Sequence, residues 1–390
     1  MQALLRLLKK AFIDPFTSTE RAILYLCTFF GQFGFTGLLV YFAFDLTSLD
    51  LDAVLGFFTG KFFFSNLFFL PLLFIIVARA RSAIVFSFLV LTQVIALLVL
   101  FLNRDLMSAG DFNQALLVGI IISFVTEPFW VIYHNMMLQL TTDENRGHEV
   151  SVAELGLQVG SAIGALAAGF MLTFMPGAIF PLFGSFSLII PASILSVLSA
   201  QFFKEQGQKP SYLAPYSGAI QNPRLSLATL MQGVLEGVTT YYAPLWMKVL
   251  GFSAIVMSSL TSAKLAARFA IGPLTGHLFQ KGNRKELRLG AYVYMISWIP
   301  WIILDPALAF VITAVIWSVY NHLIKVGLDG RWYANKTMEG MATREVCMGV
   351  GRLLALACVA PLIVISPLLF FAAAIGAGVL FLISTYILKK

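Results

Sequence analysis

Charged side chains are scarce in this chain of 390 residues: Asp, Glu, Lys and Arg make up 12% of it, against 59% apolar residues. A soluble protein of this length carries far more charge on its surface, so the composition excludes a soluble chain. About 20 apolar helical residues cross a bilayer, so the sequence is long enough for a dozen membrane-spanning helices.

Cysteine and histidine are also rare, with three and four copies. Cys27, Cys347 and Cys358 lie inside apolar stretches without metal-ligand spacing, so neither a disulfide framework nor a zinc site is expected. The hydrolase patterns His-Glu-x-x-His and Gly-x-Ser-x-Gly and the phosphate-binding pattern Gly-x4-Gly-Lys-Ser/Thr are missing as well. The sequence therefore predicts no enzyme, no bound cofactor and no metal.

Apolar runs bounded by charged, polar or Gly/Pro residues predict an all-α membrane protein with twelve spans. In chain order the spans cover residues 22–44, 53–78, 82–102, 112–140, 151–175, 178–203, 225–250, 253–279, 287–304, 306–330, 343–365 and 367–388. The longest connection contains three Pro and separates six spans from six. This predicts an N-terminal half (1–203), a cytoplasmic linker (204–224) and a C-terminal half (225–390).

The net charge of +7 is distributed unevenly over the predicted loops. Nineteen Lys and Arg residues fall on one side, whereas only Arg104 and Lys248 fall on the other. Cytoplasmic loops carry the excess of cations in membrane proteins, so both termini are expected in the cytoplasm. This placement explains the basic composition without a nucleic-acid partner.

The two halves repeat short patterns at matching places. Gln32-x4-Gly37-x3-Tyr41 in span one recurs in span seven at an offset of 200 residues, beginning at Gln232. Trp-x2-Tyr occurs in spans four and ten, and Glu-x4-Val-Gly occurs in spans five and eleven. Three matches in the same order indicate an internal duplication, as found in transporters built from parallel repeats.

Twelve spans in two repeated halves, with the termini inside and a polar central linker, resemble the major facilitator superfamily; no subfamily is identified. The loop after span eight is similar to a family motif, with Gly276, Gly282, Arg284 and Lys285 in place and its acidic residue missing. The resemblance implies secondary transport by alternating access. It also implies that spans one, four, seven and ten line a central cavity, while spans two, five, eight and eleven carry the gates.

Span five contains Gly160-x3-Gly164-x4-Gly169, which resembles the antiporter signature of the family. Ala165 stands where that signature has Pro. Small residues in this pattern equally well allow two helices to pack closely, so both interpretations stay open.

Charges inside the spans are the best functional evidence, because each costs at least about 2.5 kcal/mol to insert. Four cations and two carboxylates lie near mid-span, and Lys325 lies closer to the cytoplasmic end. The surplus of positive charge favours an anionic substrate. In the competing interpretation, Lys264 or Arg268 pairs with Glu236, and Lys61 with Glu127, as scaffolding.

Helical spacing places the polar residues of the four expected cavity helices in stripes. The predicted substrate-binding residues are Gln32, Thr36, Glu127, Trp130, His134, Gln232, Glu236, Tyr241, Trp317, Asn321, His322 and Lys325. The predicted proton-coupling or gating residues are Glu127, Glu236, Lys61, Lys264, Arg268, Glu345 and Arg352. Ordinary packing of the aromatic rings and the histidines, and hydrogen bonds between helices for the glutamines, are the alternatives.

These patterns predict a proton-coupled secondary transporter of a small organic, anionic or carboxylate-bearing solute. The alternatives are an exporter or flippase of an amphipathic compound, drug or lysolipid, and then a membrane-embedded enzyme. The expected partners are the solute, protons and the lipid bilayer. We expect a monomer in the bacterial cytoplasmic (inner) membrane.

Overall fold

The structure, a computed structural model, describes residues 18–47, 51–80, 82–103, 111–142, 146–179, 181–201, 210–241, 251–253, 255–256, 258–268 and 285–388. All the regular structure in these ranges is helical. Eight of their helices are long and apolar enough to cross a membrane. The glycines and Arg284 of the predicted loop after span eight lie outside the described residues.

In the N-terminal half the helices follow the predicted spans closely, and we keep the span numbers for them. Spans two and six each contain a π-helical segment. The helices are Thr19–Thr47 (span one), Leu51–Thr59, Gly60–Phe69 and Leu70–Ala80 (span two), Ala83–Leu102 (span three), Phe112–Leu140 (span four), Arg146–Phe174 (span five), and Pro181–Ile189 with Ile190–Gln201 (span six).

In the C-terminal part of the chain, a helix lies within the predicted linker, and span seven begins at Pro223, two residues before its predicted start. The helices are Ala214–Gln221 (the linker helix), Pro223–Glu236 with Gly237–Tyr241 (span seven), residues 258–268 (span eight), Lys285–Ile296 with Pro300–Ile303 (span nine), Pro306–Ala334 (span ten), Met338–Cys358 with Ala360–Ile365 (span eleven), and Pro367–Ile387 (span twelve). Pro lies in the first turn of the linker helix and of span seven, where its missing N–H costs nothing.

Polar side chains cap the starts of four spans. Ser82 accepts a hydrogen bond from the Val85 amide, and Asp111, Asp305 and Thr337 cap spans four, ten and eleven in the same way. Each cap satisfies one of the backbone donors left free at a helix N-terminus. Span eleven therefore begins at 338, five residues before the predicted start, because Thr337 supplies its cap.

The repeated Glu-x4-Val-Gly pattern corresponds to one packing arrangement used twice. A Cβ atom on Gly160 would collide with the Phe29 carbonyl oxygen, so span five touches the backbone of span one. Its repeat counterpart, Gly351, would place a Cβ against the Leu230 carbonyl oxygen of span seven in the same way. The glycines thus allow the fifth helix of each half to pack directly against the first.

The two halves are joined at the end of the molecule that carries Arg79, Arg331 and the linker helix, here called the cation-rich side. One hydrophobic core there contains residues of both halves, with Trp332 and Tyr333 of span ten packed among residues of spans one to six. Trp332 also donates from Nε1 to the Thr229 hydroxyl over 2.9 Å. The cation-rich side is therefore closed by a shared core.

Candidate functional site

A cavity of about 300 Å³ lies between the two halves and is lined by both. Most of the predicted site residues line it. They are Gln32, Thr36, Lys61, Glu127, Trp130, His134, Glu236, Lys264, Arg268, Asn321, Lys325, Glu345 and Arg352. The apolar part of the wall includes Phe35, Leu39, Val40, Leu157 and Leu265.

Three predicted binding residues lie elsewhere among the described residues. Gln232 is buried one turn before Glu236 and donates to its Oε1 over 3.0 Å. Trp317 packs against Trp298, with ring centroids 5.2 Å apart, and His322 is buried outside the cavity lining. Asn321 and Lys325 of span ten line the cavity, but Trp317 packs into the core of the C-terminal half. The side chain of Tyr241 lies outside the described residues.

One group of ionic and polar contacts joins spans two, seven and eleven. Arg352 pairs with Glu236 over 2.8 Å, and its other terminal nitrogen donates to Asn66 Oδ1 over 3.0 Å. Asn66 in turn donates from Nδ2 to Glu345 Oε2 over 2.9 Å. Glu236 is therefore paired with Arg352, and not with Lys264 or Arg268 as in the competing interpretation. Asn66 of the N-terminal half thus joins Arg352 and Glu345 of the C-terminal half in one hydrogen-bonded network.

A second group lies nearer the cation-rich side. Arg344 is 3% exposed and binds two carboxylates, Asp329 over 2.5 Å and the neighbouring Glu345. Lys325 of span ten pairs with Glu154 of span five over 2.9 Å, which links the halves. Buried cations of this kind need such partners, because an isolated charge in the interior costs several kcal/mol.

His134 and Tyr333 make a further contact between the halves. The His134 Nδ1 atom lies 2.5 Å from the Tyr333 hydroxyl, and both side chains are buried. Phe74 and Trp130 flank the imidazole with ring centroids 5.8 and 6.1 Å away. The predicted binding histidine is thus held in place by span ten.

Three lining cations lack a carboxylate partner in the described part of the chain. Lys61 is 5% exposed, its Nζ atom has no hydrogen bond there, and it lies 4.8 Å from the centre of the Phe35 ring. Among the described residues, Arg268 donates to two neutral oxygens, the Ser318 carbonyl and Gln158 Oε1, each over 3.1 Å. Lys264 lies one helical turn before Arg268 and forms no ion pair with the described residues.

The cavity has a smaller surplus of positive charge than the four cations and two carboxylates expected from the sequence. Its described lining contains six Lys and Arg side chains and five carboxylates, a surplus of one positive charge. Sequence reasoning missed Glu154, Asp329 and Arg344, together with Asn66, Tyr133 and Gln158. Glu154 could have been found from the Glu-x4-Val-Gly repeat, because it is the counterpart of the predicted gating residue Glu345. Arg344 is one of the nineteen cations assigned to the cytoplasmic side, because it is the second residue of the predicted span eleven; in the structure this span begins at Met338.

A polar cavity between two closely packed helical halves is the site of a membrane transport protein. The family model of the Major Facilitator Superfamily matches residues 22–328. The chain therefore belongs to this superfamily and is a transporter, an integral membrane protein whose twelve transmembrane helices form two six-helix halves.

One similar solved structure is the crystal structure of the human organic anion transporter MFSD10 (TETRAN), with a TM-score of 0.69 and 12% sequence identity. The alignment covers 96% of this chain and 100% of that chain. At this identity the likeness concerns the fold. A comparison with curated protein sequences gave no significant match.

Proposed function

We propose that the chain is a proton-coupled secondary transporter that moves a small organic anion by alternating access, without altering it chemically. The observation that carries this proposal is a cavity that both halves line and that contains three cations without carboxylate partners among the described residues. Desolvated cations of this kind attract an anionic ligand that would supply the missing counter-charge. MFSD10, which has a similar fold, is an organic anion transporter, and this agrees with the proposed substrate class.

Alternating access is supported by the contacts that close the cation-rich side. The Lys325–Glu154 pair, the His134–Tyr333 hydrogen bond and the Asn66–Glu345 hydrogen bond all join opposite halves. Opening this side would break these polar contacts and also separate Trp332 and Tyr333 from the hydrophobic core that they share with the N-terminal half. Rocking of one half against the other would then open the cavity on this side.

We assign the proton-carrying role to Glu127 and not to Glu236. Glu127 is 5% exposed and forms no ion pair within the described residues, and its Oε1 accepts a hydrogen bond from the Thr126 hydroxyl. Glu236 is held by Arg352 in an ion pair and suits a structural or gating role. Glu127 and Lys61 interact electrostatically without forming an ion pair. Protonation of Glu127 would remove this negative charge and leave Lys61 available to an anionic substrate.

The test is uptake of organic anions into proteoliposomes with and without an imposed pH gradient. We expect Glu127→Gln to remove gradient-driven accumulation while retaining exchange of the anion across the membrane. Glu339→Gln, in the first turn of span eleven, is the matched control and should behave as wild type. Full gradient-driven accumulation by Glu127→Gln would reject its proton-carrying role.

A second candidate is an exporter or flippase of an amphipathic compound. An apolar crevice of about 450 Å³ between spans five and eight favours it, lined among others by Phe170, Met171 and Ile255. Such an opening between the halves would admit a lipid tail. Transfer of a fluorescent lysolipid between leaflets, in the same proteoliposomes and without uptake of any small anion, would replace the first proposal with this one.

We further propose a monomer in a bacterial cytoplasmic membrane, with both termini in the cytoplasm. The orientation in this proposal rests on the excess of cations in alternate loops. Reporter fusions after Lys390 test it: an enzyme active only in the periplasm should stay silent, and one active only in the cytoplasm should report. The opposite pair of signals from an intact chain would contradict the orientation.

A further inference from the structure

Some of the charged side chains that line the cavity are paired with each other, and others are not. Three of the six lining cations, Arg352, Arg344 and Lys325, are satisfied by four carboxylates, Glu236, Asp329, Glu345 and Glu154. The remaining carboxylate is Glu127, and the remaining cations are Lys61, Lys264 and Arg268. With Glu127 protonated, six cations face four carboxylates, and the cavity has a surplus of two positive charges.

The first positive pole of the cavity is Lys61 of span two, in the N-terminal half. Its ammonium group is buried and has no hydrogen-bond acceptor among the described residues, with the Phe35 ring as its polarisable neighbour. An ammonium group has three N–H donors, and leaving all three without an acceptor away from water is costly. A ligand carboxylate would satisfy them.

The second pole is Lys264 with Arg268, on span eight of the C-terminal half. Two cations one turn apart on one helix repel each other, yet no carboxylate in the described part of the chain pairs with either. The Ser318 carbonyl and Gln158 hold the guanidinium through Nε and one terminal nitrogen. This leaves its other terminal nitrogen and the Lys264 ammonium group to bind an acidic group.

We propose, resting on the proposed function, that the substrate is a compact dianion with two separate acidic groups, such as a short dicarboxylate. One acidic group would bind Lys61, and the other would bind Lys264 and Arg268. Two negative charges match the surplus of two positive charges that protonation of Glu127 leaves. The cavity volume of about 300 Å³ is at the lower end for ligand pockets, so a short carbon chain against Leu265 and Phe35 fits.

The position of the poles on opposite halves has a mechanistic consequence. A dianion bound to both poles would hold the halves together around itself, whereas a monoanion would neutralise one pole and leave the other desolvated. Binding energy would then be linked to closure of the cavity only for the dianion. The two-pole site thus distinguishes substrates with two acidic groups from substrates with one.

The experiment measures binding to the purified full-length protein by thermal shift and calorimetry at pH 6 to 8. The probes are unbranched dicarboxylates of three to eight carbons and the half-amide of each, which has the same shape and one charge less. In the wild type we expect at least one dicarboxylate to bind ten-fold or more tightly than its half-amide. This comparison needs no variant, so it stands even where a substitution fails to fold.

Variants then locate the two poles. Lys61→Gln and Lys264→Gln should each weaken binding of the preferred dicarboxylate at least ten-fold and bring it level with the half-amide. Lys285→Gln, an exposed cation outside the cavity lining, is the control and should change neither affinity.

Two results would overturn the inference. Equal affinity of the half-amides and the dicarboxylates in the wild type would reject the two-pole site, while leaving the proposed transport of organic anions intact. If no carboxylate probe of either kind binds, the dianion and the anionic substrate class both fail.

Discussion

Arg344 shows how a single buried side chain organises the cavity wall. Its guanidinium lies between Asp329 of span ten and the neighbouring Glu345, and all three side chains are buried. Glu345 also accepts from Asn66 of the other half. One cation thus neutralises two carboxylates at the contact between the halves.

We predict that Arg344→Gln lowers the free energy of unfolding by about 3 to 5 kcal/mol, because it leaves two buried carboxylates without a counter-charge. Thermal unfolding in detergent, followed by tryptophan fluorescence, measures the change. Adding Asp329→Asn to Arg344→Gln should restore part of the loss, since one of the stranded charges is removed. Equal stability of Arg344→Gln and wild type would contradict this assignment.

At the scale of helices, the direct packing of span five on span one depends on glycine. Any side chain at position 160 would collide with the Phe29 carbonyl oxygen, which is backbone and cannot rotate away. The same constraint applies at position 351 against span seven. The glycine pattern of span five therefore has a packing role in this protein.

We expect Gly160→Ala to destabilise the protein by at least about 2 kcal/mol, because the two helices must move apart. The measurement is the midpoint of thermal unfolding together with the yield of monodisperse protein. Gly177→Ala is the matched control, since a Cβ there meets no atom within 4 Å. A similar midpoint for both variants would mean that span five does not depend on this close approach.

The linker helix makes contacts with both halves. The Tyr216 hydroxyl donates to the Leu67 carbonyl of span two over 2.5 Å, and Gly218 packs on Thr343 of span eleven. The Leu67 carbonyl is available to Tyr216 because Pro71, four residues later, lacks the N–H that would bond it in an α-helix. Arg79 further fixes the start of this segment by donating to the Pro210 carbonyl over 2.7 Å.

Removing this hydroxyl should loosen the linker helix. We predict that Tyr216→Phe costs about 1 kcal/mol and increases amide hydrogen exchange in residues 214–221, without preventing folding. Tyr212→Phe is the control, because that ring lies against the Arg79 guanidinium and its hydroxyl makes no hydrogen bond with the described residues. Unchanged exchange in Tyr216→Phe would show that the hydrogen bond does not hold the helix.

For the whole molecule, closure of the cation-rich side should be measurable as a distance between the halves. Spin labels at positions 80 and 335, both exposed on that side, report it after Cys27, Cys347 and Cys358 are replaced. We expect one short, narrow distance distribution in the otherwise unchanged protein. Glu154→Gln combined with Tyr333→Phe should add a longer distance, because both changes remove contacts between halves.

Arg331→Gln is the matched control for this experiment. It breaks the ion pair with Glu286, which lies within the C-terminal half. The control should leave the distance distribution unchanged. A longer distance in the control but not in the double variant would contradict closure by the contacts between the halves.

The sequence alone determined the membrane class, the helical spans and the repeated halves, because these depend on local properties. Apolar runs of about 20 residues must become helices in a bilayer, since every backbone polar group needs an internal partner there. A duplicated pattern such as Gln32 and Gln232 is likewise visible along the chain. Charges inside the spans indicated a central polar site, because a charged side chain facing lipid costs several kcal/mol.

Only the tertiary structure decided which charges meet and which remain unpartnered. Glu236 and Arg352 are 116 residues apart in sequence, and their pairing depends on how spans seven and eleven are rotated. The orientations of spans five, ten and eleven likewise buried Trp317 and His322 away from the cavity and brought Glu154, Asp329 and Arg344 to it. Helical periodicity fixes which residues share a face, but the direction of that face follows from packing against other helices, which no single segment encodes.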